Sequence, residues 1–300
     1  MRNDNPVMEQ QSRNRSAREP STRLAGSTAE LLQDRRAGSP GVNAALSTLE
    51  ALVARGPLSL TDLANELALA KSTLHRVCAV LVARGWAVRD REGRFDLGIR
   101  AIGLASRSAE LPIVTAFRGV AAGLLTRHDE TVCLSVVDGT DSVFIALEET
   151  SQPVRLVTHV GSRTPAFASA SGRVILSGWT PARVGAEFGG RPLVTPTGRR
   201  LRSVDELHDI LAEVRRSGVA ENWEDTAVGL YALSVPVQNA AGAILAALTL
   251  CVPTCRISPE RREVLIGDLV AAGRRLSGDV AWLPAWNATR GERSSPAATV

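Results

Sequence analysis

The stretch from Leu60 to Leu81, LTDLANELALAKSTLHRVCAVL, constrains the fold more than any other part of the chain. Its apolar residues fall at Leu63, Leu67, Leu69, Leu74 and Val77, with the small Ala64 where two helices must cross closely. That is the spacing of a helix-turn-helix. Ser59 with Asp62 makes a capping signal at the start of the first helix. The second helix then has two faces. Leu74, Val77, Cys78 and Leu81 follow the i, i+3, i+4, i+7 rule and are expected to face a core. Ser72, His75, Arg76 and Ala79 follow the same rule on another side, polar except at the last, and suit a major groove. Lys71, Ser72 and Thr73 fall at the N-terminus of that helix, where free N–H groups, the helix dipole and an ammonium all favour phosphate.

The flanks complete the pattern. Val42 to Arg55 carries Ala45, Leu46, Leu49, Leu52 and Val53 at helical period, which supplies a third helix. After Gly85 comes WAVRDREGRFDL, two short alternating runs about a charged turn, Asp90 to Gly93. This is a β-wing, with Arg91 and Arg94 placed to touch backbone or minor groove. Three helices and a wing make a winged helix-turn-helix, so the expected partner is double-stranded DNA. His75 and Arg76 are expected near base edges, with Lys71, Ser72, Thr73, Arg91 and Arg94 on phosphate.

Composition limits the rest. Three hundred residues, 44% hydrophobic and 22% charged, allow two ordinary globular domains. The net charge of +4 is mild, so a DNA site has to be a local patch. No apolar leader occurs in the first forty residues, and the longest apolar run, Ala243 to Val252, is too short to span a bilayer. The chain is therefore expected to be cytoplasmic, with no membrane partner. It has neither a G-x-S-x-G elbow nor a G-x-x-x-x-G-K loop, and His75, His128, His159 and His208 are scattered without partner patterns. No enzyme and no cofactor are expected. Cys78, Cys133, Cys251 and Cys255 fit no disulfide framework. Cys251 and Cys255 are close enough in sequence to chelate, which leaves a metal- or redox-responsive regulator as the alternative. No third ligand has suitable spacing, so no metal site is expected.

Residues 1–40 are polar and read as a disordered extension, 41–98 as the winged helix, and 99–109 as a packed linker helix. Residues 110–277 alternate helix and strand signals and read as one α+β domain on an antiparallel-rich sheet, with 278–300 as a disordered tail. Within that domain, TVCLSVVDG and SVFIALEE form a hairpin, PVRLVTHVG a third strand, and YALSVPVQNAAGAILAALTL two more strands. Helices are expected from Pro112, over Ser203 to Ser217, and from Ser258. At the turn from Ala168 to Gly172, small residues allow either close approach to a ligand or tight packing of a helix on the sheet, and both readings stand.

From Val42 to Ser277 the chain resembles the IclR-type transcriptional regulators. LAKSTLHRVCAVLVARGW, REGRFDLG, DETVCLSVVDG, GSRTPAFASASGRVIL, TPTGRRL and EVRRSGVAENWEDTAVGLYALSVPVQNAAG are similar to that family's segments, in the same order. The resemblance implies an N-terminal winged helix-turn-helix and a C-terminal GAF-like α/β effector-binding domain. It also implies a homodimer through the N-terminal domains, often paired into a homotetramer, that represses or activates from a DNA operator. The effector it implies is a small organic acid or an aromatic metabolite. Carried over residue by residue, the effector pocket falls on Ala170, Ser171, Asn222, Ala232, Thr249 and Cys251, with Leu134 and Phe144 as apolar wall. Asn222 stands where the family often has an acid, Ala232 where cysteine is common, Phe167 where histidine is frequent, and Arg173 replaces a lysine. A pocket that has lost a charge and a polar group is expected to favour a larger or less polar ligand, with Trp223 and Tyr231 as candidate aromatic walls.

Overall fold

The computed structural model describes residues 39–108 and 110–285; of the segments expected to be disordered, 1–40 and 278–300, residues 1–38 and 286–300 lie outside the described residues. The chain divides into two compact units between Ala105 and Ser106.

The first unit is built from α1 (Pro40–Arg55), α2 (Leu60–Leu67), α3 (Lys71–Ala83), β1 (Ala87–Arg89) and β2 (Phe95–Leu97). The Ser59 hydroxyl accepts the Asp62 N–H at 3.2 Å and the Asp62 carboxylate accepts the Ser59 N–H at 3.1 Å, a reciprocal cap on α2. The turn into α3 passes through Ala68 in the left-handed conformation, φ 49°, a place that usually takes glycine. Leu52, Leu63, Leu74, Cys78, Leu81 and Phe95 are buried together, so the apolar period of α3 does face the core. β1 and β2 pair antiparallel, Ala87 against Leu97 and Arg89 against Phe95. Helix α4 (Ile99–Ser108) follows, with Ile99 and Leu104 exposed.

The second unit is a six-stranded antiparallel sheet in the order β5-β4-β3-β8-β7-β6. Its strands are β3 (Thr131–Asp138), β4 (Asp141–Glu148), β5 (Arg163–Pro165), β6 (Ala220–Trp223), β7 (Leu230–Gln238) and β8 (Ile244–Pro253). One face packs on α5 (Pro112–His128) and α9 (Pro259–Asp279) through Val132, Leu134, Leu233, Leu248 and Leu250. The other face packs on α6 (Ala170–Ser177), α7 (Pro181–Phe188) and α8 (Val204–Ser217) through Cys133, Ala232, Ala247 and Cys251. Glu130, 1% exposed, is held by Arg256 and Arg261 at 2.5 and 2.8 Å and ties the start of β3 to the start of α9.

Three expectations are corrected. PVRLVTHVG is not a strand: Val154, Val157 and Val160 are 60%, 82% and 58% exposed, and the strand bonds begin later, at Arg163 opposite Val143. Of its apolar residues Leu156 packs on the core, partly buried, and at its end Gly161 donates its N–H to Phe144 of β4 at 2.7 Å. The tail is ordered further than pattern suggested, since Val280 and Leu283 are buried in the core under α5 and α9. Helix α7 was not anticipated. Thr180 caps it by accepting the Arg183 N–H, Pro181 opens it, and Val184 and Phe188 are its two buried residues.

Candidate functional site

In the first unit, α3 presents Lys71, Ser72, His75 and Arg76 to solvent, with Thr73 half-buried. They begin at the helix N-terminus, where no side chain caps the free N–H groups. That combination of a cation, hydroxyls and unfilled donors is what a phosphate requires. The wing is built by Asp90, whose carboxylate accepts the N–H groups of Glu92 and Arg94 at 2.9 and 2.8 Å, and by Gly93 at φ 82°. Arg89 lies over the Phe95 ring at 5.4 Å and braces the hairpin from below. Arg91 is exposed. Arg94 is exposed too, but it is paired with Asp90 at 2.9 Å and Glu92 at 2.8 Å, so much of its charge serves the turn itself.

In the second unit the strand register assembles a floor under α6. One row crosses the sheet as Asn222, Ala232, Cys251 and Thr131, each paired with the next on the neighbouring strand. The next row is Ala220, Ser234, Thr249, Cys133 and Leu147. A third is Pro236, Ala247, Ser135 and Phe144. A bulge in the β3–β4 pairing, between Leu134 and Ser135, lets Phe144 and Leu147 pack on the same side. Five of the six expected residues come together here or directly above: Asn222, Ala232, Thr249 and Cys251 on the floor, and Ser171 at the start of α6. Ala170, the sixth, opens the same helix. All six are at most 6% exposed.

The helix start fits closely on the loop before it. A Cβ on Gly172 would come within 2.2 Å of the Ala166 carbonyl oxygen, so glycine is required. The Ser169 hydroxyl accepts the Gly172 N–H at 3.1 Å and its carbonyl accepts the Arg173 N–H at 3.0 Å. The N–H groups of Ala170 and Ser171 remain buried without an acceptor among the described residues. Two hydroxyls on the floor, Thr131 Oγ1 and Ser135 Oγ, are likewise buried without a partner. Each such orphan costs about 1–3 kcal/mol, which a protein rarely tolerates unless something else fills the need. The remaining hydroxyls are paired, Ser142 with Ser171 at 2.8 Å and Ser234 with Thr249 at 2.9 Å.

Asn222 holds the loop: its amide donates to the Ala168 carbonyl at 2.7 Å, and its oxygen accepts the Asp225 N–H at 2.8 Å. Arg173 is buried and gives its guanidinium to the Phe167 and Glu221 carbonyls and to Asp225 at 2.6 Å. Burial pushes that guanidinium below its ordinary pKa against the pull of Asp225. Asp225 also pairs with the half-exposed Arg199 at 3.2 Å. This network was missed by pattern reading, because Arg173 and Asp225 are 52 residues apart and neither spacing nor composition joins them.

Other expected groups are placed elsewhere. Leu134 belongs to the opposite face of the sheet, with α5 and α9, because it alternates with Cys133. Tyr231 is buried on that opposite face as well, and Trp223, 49% exposed, packs on it with ring centroids 4.4 Å apart and planes tilted by 49°, so neither walls the floor. Phe144 does pack beside the floor. The Cys251–Cys255 pair of the alternative reading is not formed as a site. Cys251 is buried, while Cys255 is exposed on the short 3-10 turn after β8. The neighbouring Cys251 thiol, with burial, holds the Cys133 thiol well above its ordinary pKa, which disfavours thiolate chemistry. Among the described residues, no three His, Cys, Asp or Glu side chains are grouped to hold a metal. An open groove of about 800 Å³ at the C-terminal end of α6, bordered by Trp179, Arg183 and Ile244, contains none of the expected residues.

Residues 45–91 match the model of the IclR helix-turn-helix domain, and residues 105–278 match that of the bacterial transcriptional regulator IclR C-terminal domain. The chain is similar to the HTH-type transcriptional regulator KdgR of Escherichia coli (strain K12), 27% identical over 244 residues, covering 78% of this chain and 90% of KdgR. XynR, an HTH-type transcriptional regulator of the same strain, is 30% identical over 225 residues, covering 73% of this chain and 88% of its own. The fold is shared with an IclR transcriptional regulator from Alicyclobacillus acidocaldarius at a TM-score of 0.72 and 24% identity, over 81% of this chain and 99% of that one. It is also shared with an IclR homolog from Microbacterium hydrocarbonoxydans, complexed with 4-hydroxybenzoate, at a TM-score of 0.70 and 23% identity, over 80% and 98%.

Proposed function

This chain belongs to the IclR family of bacterial transcriptional regulators, and from that premise we propose that a small organic acid or aromatic metabolite, bound under α6, controls its affinity for a DNA operator. The observation that carries the reading is the pair of orphan N–H groups at Ala170 and Ser171, enclosed over a floor of small and hydroxyl-bearing residues. Two buried donors at the positive end of a helix suit a carboxylate. Ala170, Ser171, Asn222, Ala232, Thr249 and Cys251 make the pocket, Asn222 by fixing the loop that covers it. A relative of the same fold is complexed with 4-hydroxybenzoate, which favours a small carboxylate here.

On the DNA side, His75 and Arg76 of α3 approach base edges, and Lys71, Ser72, Thr73 and Arg91 meet phosphate. Arg94 joins them by exchanging a wing carboxylate for phosphate. The protein works as a cytoplasmic homo-oligomer. Val42, Leu46 and Val53 run down one face of α1, 57%, 54% and 62% exposed, and a second copy would cover that stripe. Ligand then acts as a population shift, favouring one spacing of the paired winged helices over another. The chain carries out no catalysis in this account.

The test is calorimetric titration of the wild type and Ser171→Trp with a panel of small carboxylic acids, benzoate and 4-hydroxybenzoate included. At least one acid is expected to bind the wild type in the micromolar to millimolar range and to lose measurable binding in the variant. Equal binding by both proteins sinks the pocket assignment.

A further inference from the structure

We infer that residues 153–160, between β4 and β5, form a hinged strap through which a ligand reaches the floor under α6, with Leu156 as its stopper. This rests on the effector reading above and gives that site its entrance. An enclosed site needs one: the six expected pocket residues, and Thr131 and Ser135 beside them, are at most 6% exposed. On three sides the enclosure is firm. Above, α6 lies over β7, β8 and β3. Toward β6, Asn222 ties the loop before α6, and Asp225 is gripped by Arg173 and Arg199. Toward β5, Ala166 and Phe167 are buried, and the Ala166 N–H is bonded to the Thr140 carbonyl at 2.9 Å.

The fourth side, along β4, is closed by the strap, and its hold is slight. The β4–β5 pairing runs only from Asp141 to Val143. At one end of the strap, Asp129 clasps Thr150, Ser151 and Gln152. There Arg256 also donates to the Val154 carbonyl at 2.9 Å while its fork holds Glu130, the neighbour of Thr131. At the other end, the Gly161 N–H reaches the Phe144 carbonyl at 2.7 Å. These anchors set the strap beside the floor, from the row of Thr131 to the row of Phe144. Between them, among the described residues, the polar contacts of residues 155–160 stay within residues 149–162. Val154, Val157 and Val160 are exposed, and of the strap's large apolar residues Leu156 alone turns inward. It is partly buried against the cluster that holds Cys133 and Cys251, with Phe144 and Leu147 packed there as well. Local opening occurs where the fewest contacts must break, and lifting this span unseats one leucine.

The floor carries its own reporters. Cys133 and Cys251 are buried on it, Cys78 is buried in the first unit, and Cys255 is exposed. The full chain is treated with methyl methanethiosulfonate, a small neutral thiol reagent, and the labelling of each cysteine is followed by peptide mass spectrometry. Wild type is compared with Leu156→Ala and the milder Leu156→Val. Two controls accompany them: Ile210→Ala, which trims a partly buried residue packed on the same cluster from α8, and Arg199→Ala, which loosens the opposite rim. Thermal midpoints are measured alongside. Leu156→Ala is expected to speed the labelling of Cys133 and Cys251 about tenfold while Cys78 keeps its wild-type rate. Leu156→Val falls between, and both controls stay near wild type. A leucine that merely supports the core would act like Ile210, through lost stability alone. Acceleration by Ile210→Ala or Arg199→Ala equal to that of Leu156→Ala, or none from either Leu156 variant, overturns the inference. Floor thiols gated by Leu156, in a protein that binds the carboxylic acids equally with and without Ser171→Trp, would leave this entrance standing while the pocket assignment falls.

Discussion

Asp129 ends α5 in the left-handed conformation, φ 47°, and then gathers the chain that follows β4. Its carboxylate accepts from the Thr150 hydroxyl at 2.7 Å, the Ser151 N–H at 3.0 Å and the Gln152 amide at 2.7 Å. Thr150 foremost, these donors hold its pKa down to about 2 from an ordinary 3.8. A folded-state pKa depressed in this way gives stability that is fully present above the ordinary value and is lost as pH falls through the folded one. Asp129→Asn, which keeps the backbone conformation accessible, is expected to melt below the wild type at neutral pH. The gap should close between about pH 4 and pH 2 as the wild-type carboxylate takes up its proton. A gap that stays constant across that range contradicts the assignment. None of this is visible in sequence, since the partners lie 21 to 23 residues away. Arg173 makes the same point from the other side: it reads as a lysine replaced, yet its fork reaches three acceptors that a single ammonium has no geometry to serve.

At the scale of elements, α3 was readable because one period of 3.6 separates a buried face from an exposed one over four turns. Leu74, Cys78 and Leu81 are buried, and Ser72, His75, Arg76 and Ala79 are exposed. Lys71 opens that helix, exposed and set at its positive end. Lys71→Ala is expected to weaken binding to all DNA sequences alike and to reduce the slope of log affinity against log salt by about one, in a fluorescence-anisotropy titration. An altered sequence preference with an unchanged slope would mean that Lys71 does not meet phosphate. The β3–β4 and β7–β8 hairpins were equally legible, because each carries its turn residues between runs of apolar alternation. PVRLVTHVG has the alternation while its valines stay exposed, which a local pattern cannot reveal. The face taken by each floor residue, Thr131 and Ser135 included, depends on register between strands more than a hundred residues apart.

For the whole molecule, the division into a helix-rich reader and an α+β sensor followed from the order of periodic segments, but the strand order did not. Placing β8 between β3 and β7 is what brings Thr131 and Cys133 beside Cys251 and Thr249 and so creates a floor at all. The polar oxygens left unpaired on it and the polar face left uncovered on α3 are the two ends of one account: a ligand-controlled reader of DNA. Mapping the genomic DNA bound by the protein in its source cell, with the recovered sequences titrated against purified protein at two salt concentrations, tests that account most directly. The prediction is a small set of discrete sites with two-fold symmetry, bound tightly at low salt and more weakly at high salt. Reproducible sites absent from the map, together with binding in vitro that ignores both sequence and salt, would contradict it.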